Sequence, residues 1–302
     1  VYKMTQADRE AVRKQVGDLV SRGFLKPSKS PFGAPVMIVP QKDKLRMVFD
    51  YRGINAVTVK NGTPMPRVEE LFNAMSGKKV FSTVDLKDSF HQTRMAVGSE
   101  RYTAVNTPDG HFEWEVMPFG LCNAPATQMR LTEEVIAPLK GEGTYGFVDD
   151  IAMGTTTVEE HEALFRKLLL RLREKDLYVK DGKEQMFLEE IDFLGHRISG
   201  DVIKAQDTKV TGVRDFPTPT TKKQLQGFLG LANYSRKFIE GYSRIAHPLL
   251  EMVKALGDKT KTKAELTAMP PEHRSITGRD PHGSAEAVAA AWGSLTPASG
   301  TI

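Results

Sequence analysis

Cysteine is nearly absent from this chain. Cys122 is the only one in 302 residues, so no disulfide can form within it. That usage fits a reducing intracellular compartment, cytoplasmic or nuclear. No His or Cys partner motif surrounds Cys122, which reads as a small packing residue rather than a nucleophile. No apolar run is long enough to span a bilayer, so no membrane partner is expected. A glycine-rich phosphate loop is also missing, and any phosphate chemistry must rest on other groups. There is no internal repeat. The first residue is Val1 rather than Met, as in a fragment of a longer protein, and no targeting signal is read from it.

What is present is ordinary globular composition, 40% hydrophobic and 26% charged, enough for a sizeable core and two or three subdomains. The net charge of +4 is uneven. Residues 204–263 hold 12 Lys/Arg against 5 Asp/Glu, a balance of +7, which leaves −3 for the remainder. A basic C-terminal lobe beside an acidic segment suits a binder of phosphate backbones; a solvated helical surface would have the same composition.

Periodicity predicts a helix over 5–23, with Val12, Val16, Leu19 and Val20 on one face. Strands are expected at Val36–Val39 and Leu45–Phe49 across the turn Gln41–Lys44, and at Phe112–Val116. Helices are expected at Pro66–Met75 and Ala124–Leu139. Thr157 and Glu160 form a capping box ahead of a helix that turns Leu164, Phe165, Leu168, Leu169 and Leu172 inward. Thr221 and Gln224 cap another, with Leu225, Phe228, Leu229 and Ala232 inward. Strands and helices intermix, so the fold class is α+β. After Lys254, Pro270-Pro271 and Gly278–Gly283 read as linker, Ala285–Trp292 as one short helix, and the end as a disordered tail.

The chemistry concentrates in acidic residues at strand ends. Phe147-Val148-Asp149-Asp150 lies between two apolar runs, as in a β-hairpin with its carboxylates at the tip. Adjacent carboxylates repel unless a cation compensates. Hard oxygen ligands suit Mg²⁺, although a solvated turn would also carry Asp. Upstream, Asp85 ends the strand-like run Val80–Val84. An Asp at one strand end and an Asp pair on a neighbouring hairpin suit two metals about 3.5–4 Å apart, a site for in-line phosphoryl transfer.

These segments resemble the reverse transcriptases of gypsy-type long-terminal-repeat retrotransposons. The matching motifs stand in family order: Leu45–Asn55, Phe81–Leu86 with Phe90-His91-Gln92, Met117–Thr127, Phe147–Asp150, Phe193–Ser199, and Phe228–Tyr234 with Phe238-Ile239. The resemblance runs from about Tyr2 to Lys254. It implies a right-hand polymerase whose palm is a small antiparallel sheet backed by helices. Fingers and the start of the palm would occupy 1–80, the palm with its metal site 81–203, a helical thumb 204–256, and a linker or tail 257–302. It implies synthesis of DNA on an RNA or DNA template with a primer, from deoxynucleoside triphosphates, with two Mg²⁺ or Mn²⁺ ions. The roughly 48 residues after Lys254 are too few for a ribonuclease H domain.

By the same resemblance, Asp85, Asp149 and Asp150 are the catalytic metal ligands, with Asp150 in support. Arg46 contacts the triphosphate and stacks over the incoming base, assisted by Lys42 or Lys44. Phe90 lies beneath the sugar and disfavours a ribose 2′-hydroxyl, while Phe119 and Gly120 shape the pocket floor. Gly195 and His196 form a hairpin under the primer end, with no chemistry assigned to His196. His91 and Gln92 fix the palm backbone. Lys222, Lys223, Arg236 and Lys237 contact nucleic acid from the basic lobe. The chain departs from the family pattern at Gln128, where Phe is usual, at Gly143, Thr144 and Gly146 before the acidic pair, at Asp109, and at Lys180–Glu184. Those departures keep open a second reading, an element-derived nucleic-acid-binding protein whose catalysis has decayed. A third is a palm polymerase that copies RNA into RNA, against which Phe90 argues.

Overall fold

The computed structural model describes residues 2–41, 44–182 and 185–255; the expected helix Ala285–Trp292 and the tail lie outside them. The chain divides into two compact units, one through Ile191 and one beginning at Asp192, a division that falls ahead of the Phe193–Ser199 hairpin. No helix among the described residues is long and apolar enough to cross a membrane.

In the first unit α1 (Gln6–Ser21) starts from Thr5, whose hydroxyl accepts the Asp8 amide while the Asp8 carboxylate accepts the Thr5 amide. This reciprocal cap satisfies two amides that helix geometry leaves without partners. Strands β1 (Leu25–Pro27), β2 (Ala34–Gln41) and β3 (Lys44–Phe49) follow, then α2 (Arg52–Val57), α3 (Val68–Met75) and β4 (Val80–Asp85). Next come β5 (Val105–Thr107), β6 (Gly110–Trp114), α4 (Ala124–Ile136), β7 (Thr144–Phe147), β8 (Asp150–Thr155), α5 (Val158–Glu174) and β9 (Gln185–Leu188). The expected strand at 112–116 stops at Trp114, because Val116 makes only an isolated bridge with Arg94.

One sheet has the order β1-β6-β5-β2-β3, and α1 covers it through Val12 and Val16, packed with Val36, Met47 and Trp114. Val20, expected on that face, is exposed. The second sheet, β7-β8-β4-β9, is antiparallel throughout. Its inner face, with Val84, Ile151 and Met153, packs on α4 and α5 through Ile136, Leu164 and Leu168. Each such side chain, fully buried, contributes about 1.5–3 kcal/mol. Leu169, expected to point inward, is exposed; it lies about 100° around the helix from Leu168 and leaves the apolar stripe.

A buried polar chain joins α5 to this sheet. The Phe187 amide donates to Ser82 Oγ at 3.0 Å, and Ser82 Oγ lies 2.7 Å from His161 Nε2. His161 Nδ1 lies 2.9 Å from Thr155 Oγ1, which donates to the Thr157 carbonyl at 3.0 Å. Only one direction satisfies every group: Ser82 donates to Nε2, and the protonated Nδ1 donates to Thr155. That tautomer is the neutral imidazole, and burial pushes the His161 pKa below its ordinary value.

Strand β10 (Ile191–Phe193), which begins at the last residue of the first unit, forms a three-stranded sheet with β11 (His196–Ser199) and β12 (Val202–Ala205) of the second. Helices α6 (Asp207–Arg214), α7 (Lys222–Tyr234) and α8 (Tyr242–Ala255) follow. Leu225, Phe228 and Leu229 of α7 pack on Ala246, Leu249 and Met252 of α8. The expected boxes at Thr157/Glu160 and Thr221/Gln224 cap α5 and α7.

The glycines before the acidic pair have steric reasons. A Cβ on Gly146 would stand 2.7 Å from Thr132 Cγ2 and 2.9 Å from Ile136 Cδ1 of α4. One on Gly143, at φ +108°, would stand 2.3 Å from the Gly154 carbonyl oxygen. Gly146→Ala should therefore destabilise the fold. Overpacking costs about 1–3 kcal/mol, more than the ~0.4–1 kcal/mol gained from a stiffer unfolded chain. A lower urea midpoint at unchanged m-value is the expected result; an unchanged midpoint would mean that α4 can retreat from β7 at no cost.

Candidate active site

The site grows from the register of β4 and β8. Six pairs run from Val80 opposite Thr155 to Asp85 opposite Asp150. Side chains alternate along a strand. With Val84 and Ile151 turned into the core beneath α4 and α5, Asp85 and Asp150 share the other face. Asp149 immediately precedes Asp150, in the two-residue turn Val148-Asp149 between β7 and β8, with Phe147 opposite Asp150. Val148 sits at φ +57°, a region that a β-branched residue enters only under compulsion. Helix α4 supplies it: Thr132 Oγ1 donates to the Val148 carbonyl, and the Val148 amide reaches Met129 Sδ at 3.3 Å. Ser89 Oγ donates to Asp149 Oδ2 at 3.2 Å.

Among the described residues no group of three or more His, Cys, Asp or Glu side chains closes into a cation cage. Mg²⁺ does not require one, since it is commonly held by one or two carboxylates with water and substrate phosphates completing the shell. An all-carboxylate donor set with Asp85 directly opposite Asp150 fits that mode. One cation of the chain already faces it. Lys180 Nζ lies 3.9 Å from Asp85 Oδ2, and the Lys180 amide donates to the Asp85 carbonyl at 2.9 Å. Gln92 holds this segment in place: its Oε1 accepts the Tyr178 amide at 2.8 Å and its Nε2 donates to the Tyr178 carbonyl at 3.0 Å.

The aromatic candidates also meet. The Arg46 guanidinium lies 5.6 Å from the centroid of the Phe119 ring, and Phe119 stands edge-on to Phe90 at 4.8 Å. Phe90 belongs to the single turn Ser89–Gln92 that follows β4, so the chain leads directly from Asp85 to this stack. Gly120, at φ +98°, lies against Tyr51. Lys42 and the side chain of Lys44 lie outside the described residues.

His91 does not act through hydrogen bonds. Neither of its ring nitrogens has a hydrogen-bond partner among the described residues. Its ring stacks on Trp114 and also touches Phe24 and Phe119, and burial pushes its pKa down. Gln128 is fully buried with neither amide atom paired among the described residues, a cost of roughly 1–3 kcal/mol per group. Asp109 has a plain role, pairing with Arg13 of α1 at 2.7 Å.

In the second unit Leu194 and Gly195 both have positive φ, +46° and +72°, as a tight hairpin turn requires. A Cβ on Gly195 would stand 2.2 Å from the Tyr234 hydroxyl. The His196 ring is buried between Tyr234 and Phe238, and its Nδ1 donates to the Leu194 carbonyl at 2.8 Å. The expectation that the His196 side chain contacts nucleic acid is corrected to that extent, since its ring is buried. Lys222 and Lys223 occupy the first turn of α7, where the helix dipole disfavours cations. Lys223, Arg236 and Lys237 are exposed, and Lys222 is half-buried.

Sequence reasoning passed over Lys180, Ser89, Met129, Thr132 and Asn55. Lys180 was visible only as a departure from the family pattern. Thr132 had one signal, a polar residue three positions from Met129 and four from Ile136, so on the same face of the expected helix as these two apolar side chains.

The family model described as "Reverse transcriptase (RNA-dependent DNA polymerase)" matches residues 29–198. The Pol polyprotein of transposon 297 of Drosophila melanogaster is 33% identical over 286 residues, 93% of this chain and 27% of the polyprotein. That of transposon opus is 34% identical over 254 residues, covering 82% and 25%. The chain thus spans about a quarter of these relatives. Among solved structures, the foamy viral protease-reverse transcriptase in complex with RNA/DNA hybrid aligns with a TM-score of 0.79 at 26% identity, over 96% of this chain and 37% of that one. Its complex with double-stranded DNA aligns with a TM-score of 0.78. The right-hand polymerase fold and the α+β class are those of these neighbours.

The hold of α4 on the acidic turn can be measured. Thr132→Val keeps the shape of the side chain and removes the donor to Val148. An acceptor left without its partner costs about 1–3 kcal/mol. Amide exchange at 147–150 should accelerate, with α5 unchanged. Equal protection in both proteins would leave the turn to its own strand pairing.

Proposed function

The chain belongs to the reverse transcriptase (RNA-dependent DNA polymerase) family, and on that premise we propose that it copies RNA and DNA templates into DNA as the polymerase portion of a gypsy-type long-terminal-repeat retrotransposon. The transposon relatives support the source. One observation carries the activity: Asp85 faces Asp150, with Asp149 in the adjoining turn, in the unit that also stacks Arg46, Phe119 and Phe90. Fingers and the start of the palm are assigned to 1–80, the palm to 81–203 and the thumb to 204–256.

Asp85 and Asp149, with Asp150 in support, would hold two divalent ions, Mg²⁺ or Mn²⁺, which supply the charge neutralisation for attack of a primer 3′-hydroxyl on a nucleotide α-phosphate with release of pyrophosphate. The remaining work is positioning. Arg46 offers a planar cation to the triphosphate and a flat face to the base. Phe119 and Phe90 form an apolar floor beneath the base and sugar, and the Phe90 ring leaves no room for a ribose 2′-hydroxyl. The Gly195 hairpin would carry the primer end. Lys222, Lys223, Arg236 and Lys237 would meet the phosphate backbone, and lysines in a helix's first turn suit phosphates that also approach its free amides. The reading of a decayed, binding-only protein loses much of its support once Gly143, Gly146 and Asp109 have structural reasons.

Primer extension on poly(rA)/oligo(dT) with Mg²⁺ or Mn²⁺ tests the activity. Asp149→Asn should lower incorporation at least ~10³-fold, since losing a metal ligand forfeits several kcal/mol of charge stabilisation. Template–primer binding should persist. Undiminished incorporation would remove Asp149 from the metal site.

Phe90→Val tests sugar choice. The ratio of kcat/KM for a deoxynucleotide to that for its ribonucleotide should fall at least ~10-fold, because discrimination is a difference in transition-state binding. An unchanged ratio in an active variant would make Phe90 a packing residue.

A further inference from the structure

Two asparagines stitch the segment after β3 to the segment that carries Phe119. Asn55 Nδ2 donates to the Gly120 carbonyl at 2.8 Å, and Asn55 Oδ1 accepts the Cys122 amide at 2.8 Å. Asn123 answers in the opposite sense: its Nδ2 donates to the Val59 carbonyl at 2.9 Å, and its Oδ1 accepts the Asn61 amide at 2.9 Å. Each amide uses one donor and one acceptor on backbone groups, so a flipped side chain would set oxygen against oxygen. Four hydrogen bonds thereby bind residues 55–61 to 120–123.

Packing does only part of this work: Leu121 lies against the core of the first unit and Gly120 against Tyr51. The 121–123 turn borders a cavity of about 490 Å³ that is also lined by Asn55, Met95 and Tyr102. Side chains beside a cavity lack the neighbours that fix position in a close-packed interior. Phe119 itself is 41% exposed. Its backbone is set on the Gly120 side by Asn55, and its ring is touched by Arg46 from β3, by Phe90 from the turn after β4 and by His91. Those contacts locate the ring, and the backbone beneath it draws on a hydrogen-bonded clamp from α2.

We propose that Asn55 is a positioning residue for the incoming nucleotide: its two hydrogen bonds hold the Gly120–Cys122 backbone so that Phe119 stays seated between Arg46 and Phe90. The nucleotide part of this role presupposes the polymerase activity proposed above. The clamp itself does not, and Cys122 makes it separately readable. It is the only cysteine of the chain, its half-buried thiol is in no disulfide and lies 3.7 Å from Asn123 Oδ1, and its own amide is one of the clamped groups.

Two variants test the clamp, Asn55→Ala, which loses both bonds, and Asn55→Asp, which keeps the acceptor and turns a carboxylate oxygen on the Gly120 carbonyl. The affinity of dTTP is measured at equilibrium on a complex whose primer ends in a dideoxynucleotide. A displaced platform should weaken dTTP binding about tenfold in Asn55→Ala and raise KM in parallel, with kcat changed less. Asn55→Asp should weaken it at least threefold or so. Template–primer affinity should stay near that of the wild type, and Tm should fall by no more than several degrees. Iodoacetamide should alkylate Cys122 several-fold faster in Asn55→Ala. Unchanged dTTP affinity in a folded variant would overturn the proposal even if alkylation accelerates, and so would an unchanged alkylation rate. A wild-type chain that binds dTTP but extends no primer would sink the polymerase reading alone, because both clamp readouts need no turnover. A wild type that binds no dTTP would overturn both.

Discussion

Asp85 and Asp150 sit directly opposite one another across β4 and β8, and the first unit is built to tolerate their repulsion. Like charges at facing strand positions cost roughly 0.2–1 kcal/mol. The same two strands bury Val84, Ile151 and Met153 beneath α4 and α5, and each fully buried side chain of that kind returns about 1.5–3 kcal/mol. Because the side-chain period is two, a slip of one residue would drive both carboxylates into that core and expose Val84 and Ile151. The apolar face thus fixes the register, and the register fixes the charge pair. Neither carboxylate has to favour its own position.

Two kinds of support surround this pair. The acidic turn is held by close packing of α4 on β7, joined by the hydrogen bonds of Met129 and Thr132 to the backbone of Val148. The Phe119 platform adds hydrogen bonds beside a cavity to its ring contacts with Phe90 and His91. Packing suits carboxylates whose spacing must not vary. A hydrogen-bonded turn with space behind it can shift by small amounts without breaking a core. His91 belongs to the packed class despite its polar ring, lying among Phe24, Trp114 and Phe119.

The strand ends, the capping boxes at Thr157 and Thr221 and the acidic residues were legible because each is a local pattern. Alternation and 3.6-residue periodicity located β2, β3, α1, α4, α5 and α7 to within a few residues. What escaped were features that local patterns do not carry. Helix α2 has six residues, too few for a period, and α8 contains Pro248, which reads as a break. Leu169 and Val20 lie at the edges of apolar stripes, where one helical step decides exposure. Gly143 and Gly146 looked like weaknesses in a strand, because nothing in the sequence tells that α4 and Gly154 stand within contact distance of them. The Lys180 ammonium near Asp85 depends on Gln92 holding the backbone of Tyr178, a pairing across 86 residues that no spacing rule anticipates. Gln128 remains a departure without a physical account.

The crowding at residue 146 bears on how such a chain can diverge. Thr132 and Ile136 fill the space where a side chain at 146 would stand, and Thr132 also holds Val148. The three positions share one volume and cannot drift independently. A larger residue at 146 is tolerable only after 132 or 136 has shrunk, and a change at 132 loosens the acidic turn whatever stands at 146. Their effects are non-additive for neighbours in contact. The order in which substitutions arise then matters: most single steps lead through a less stable protein, and paired exchanges would leave their mark as covariation among these three positions in related chains.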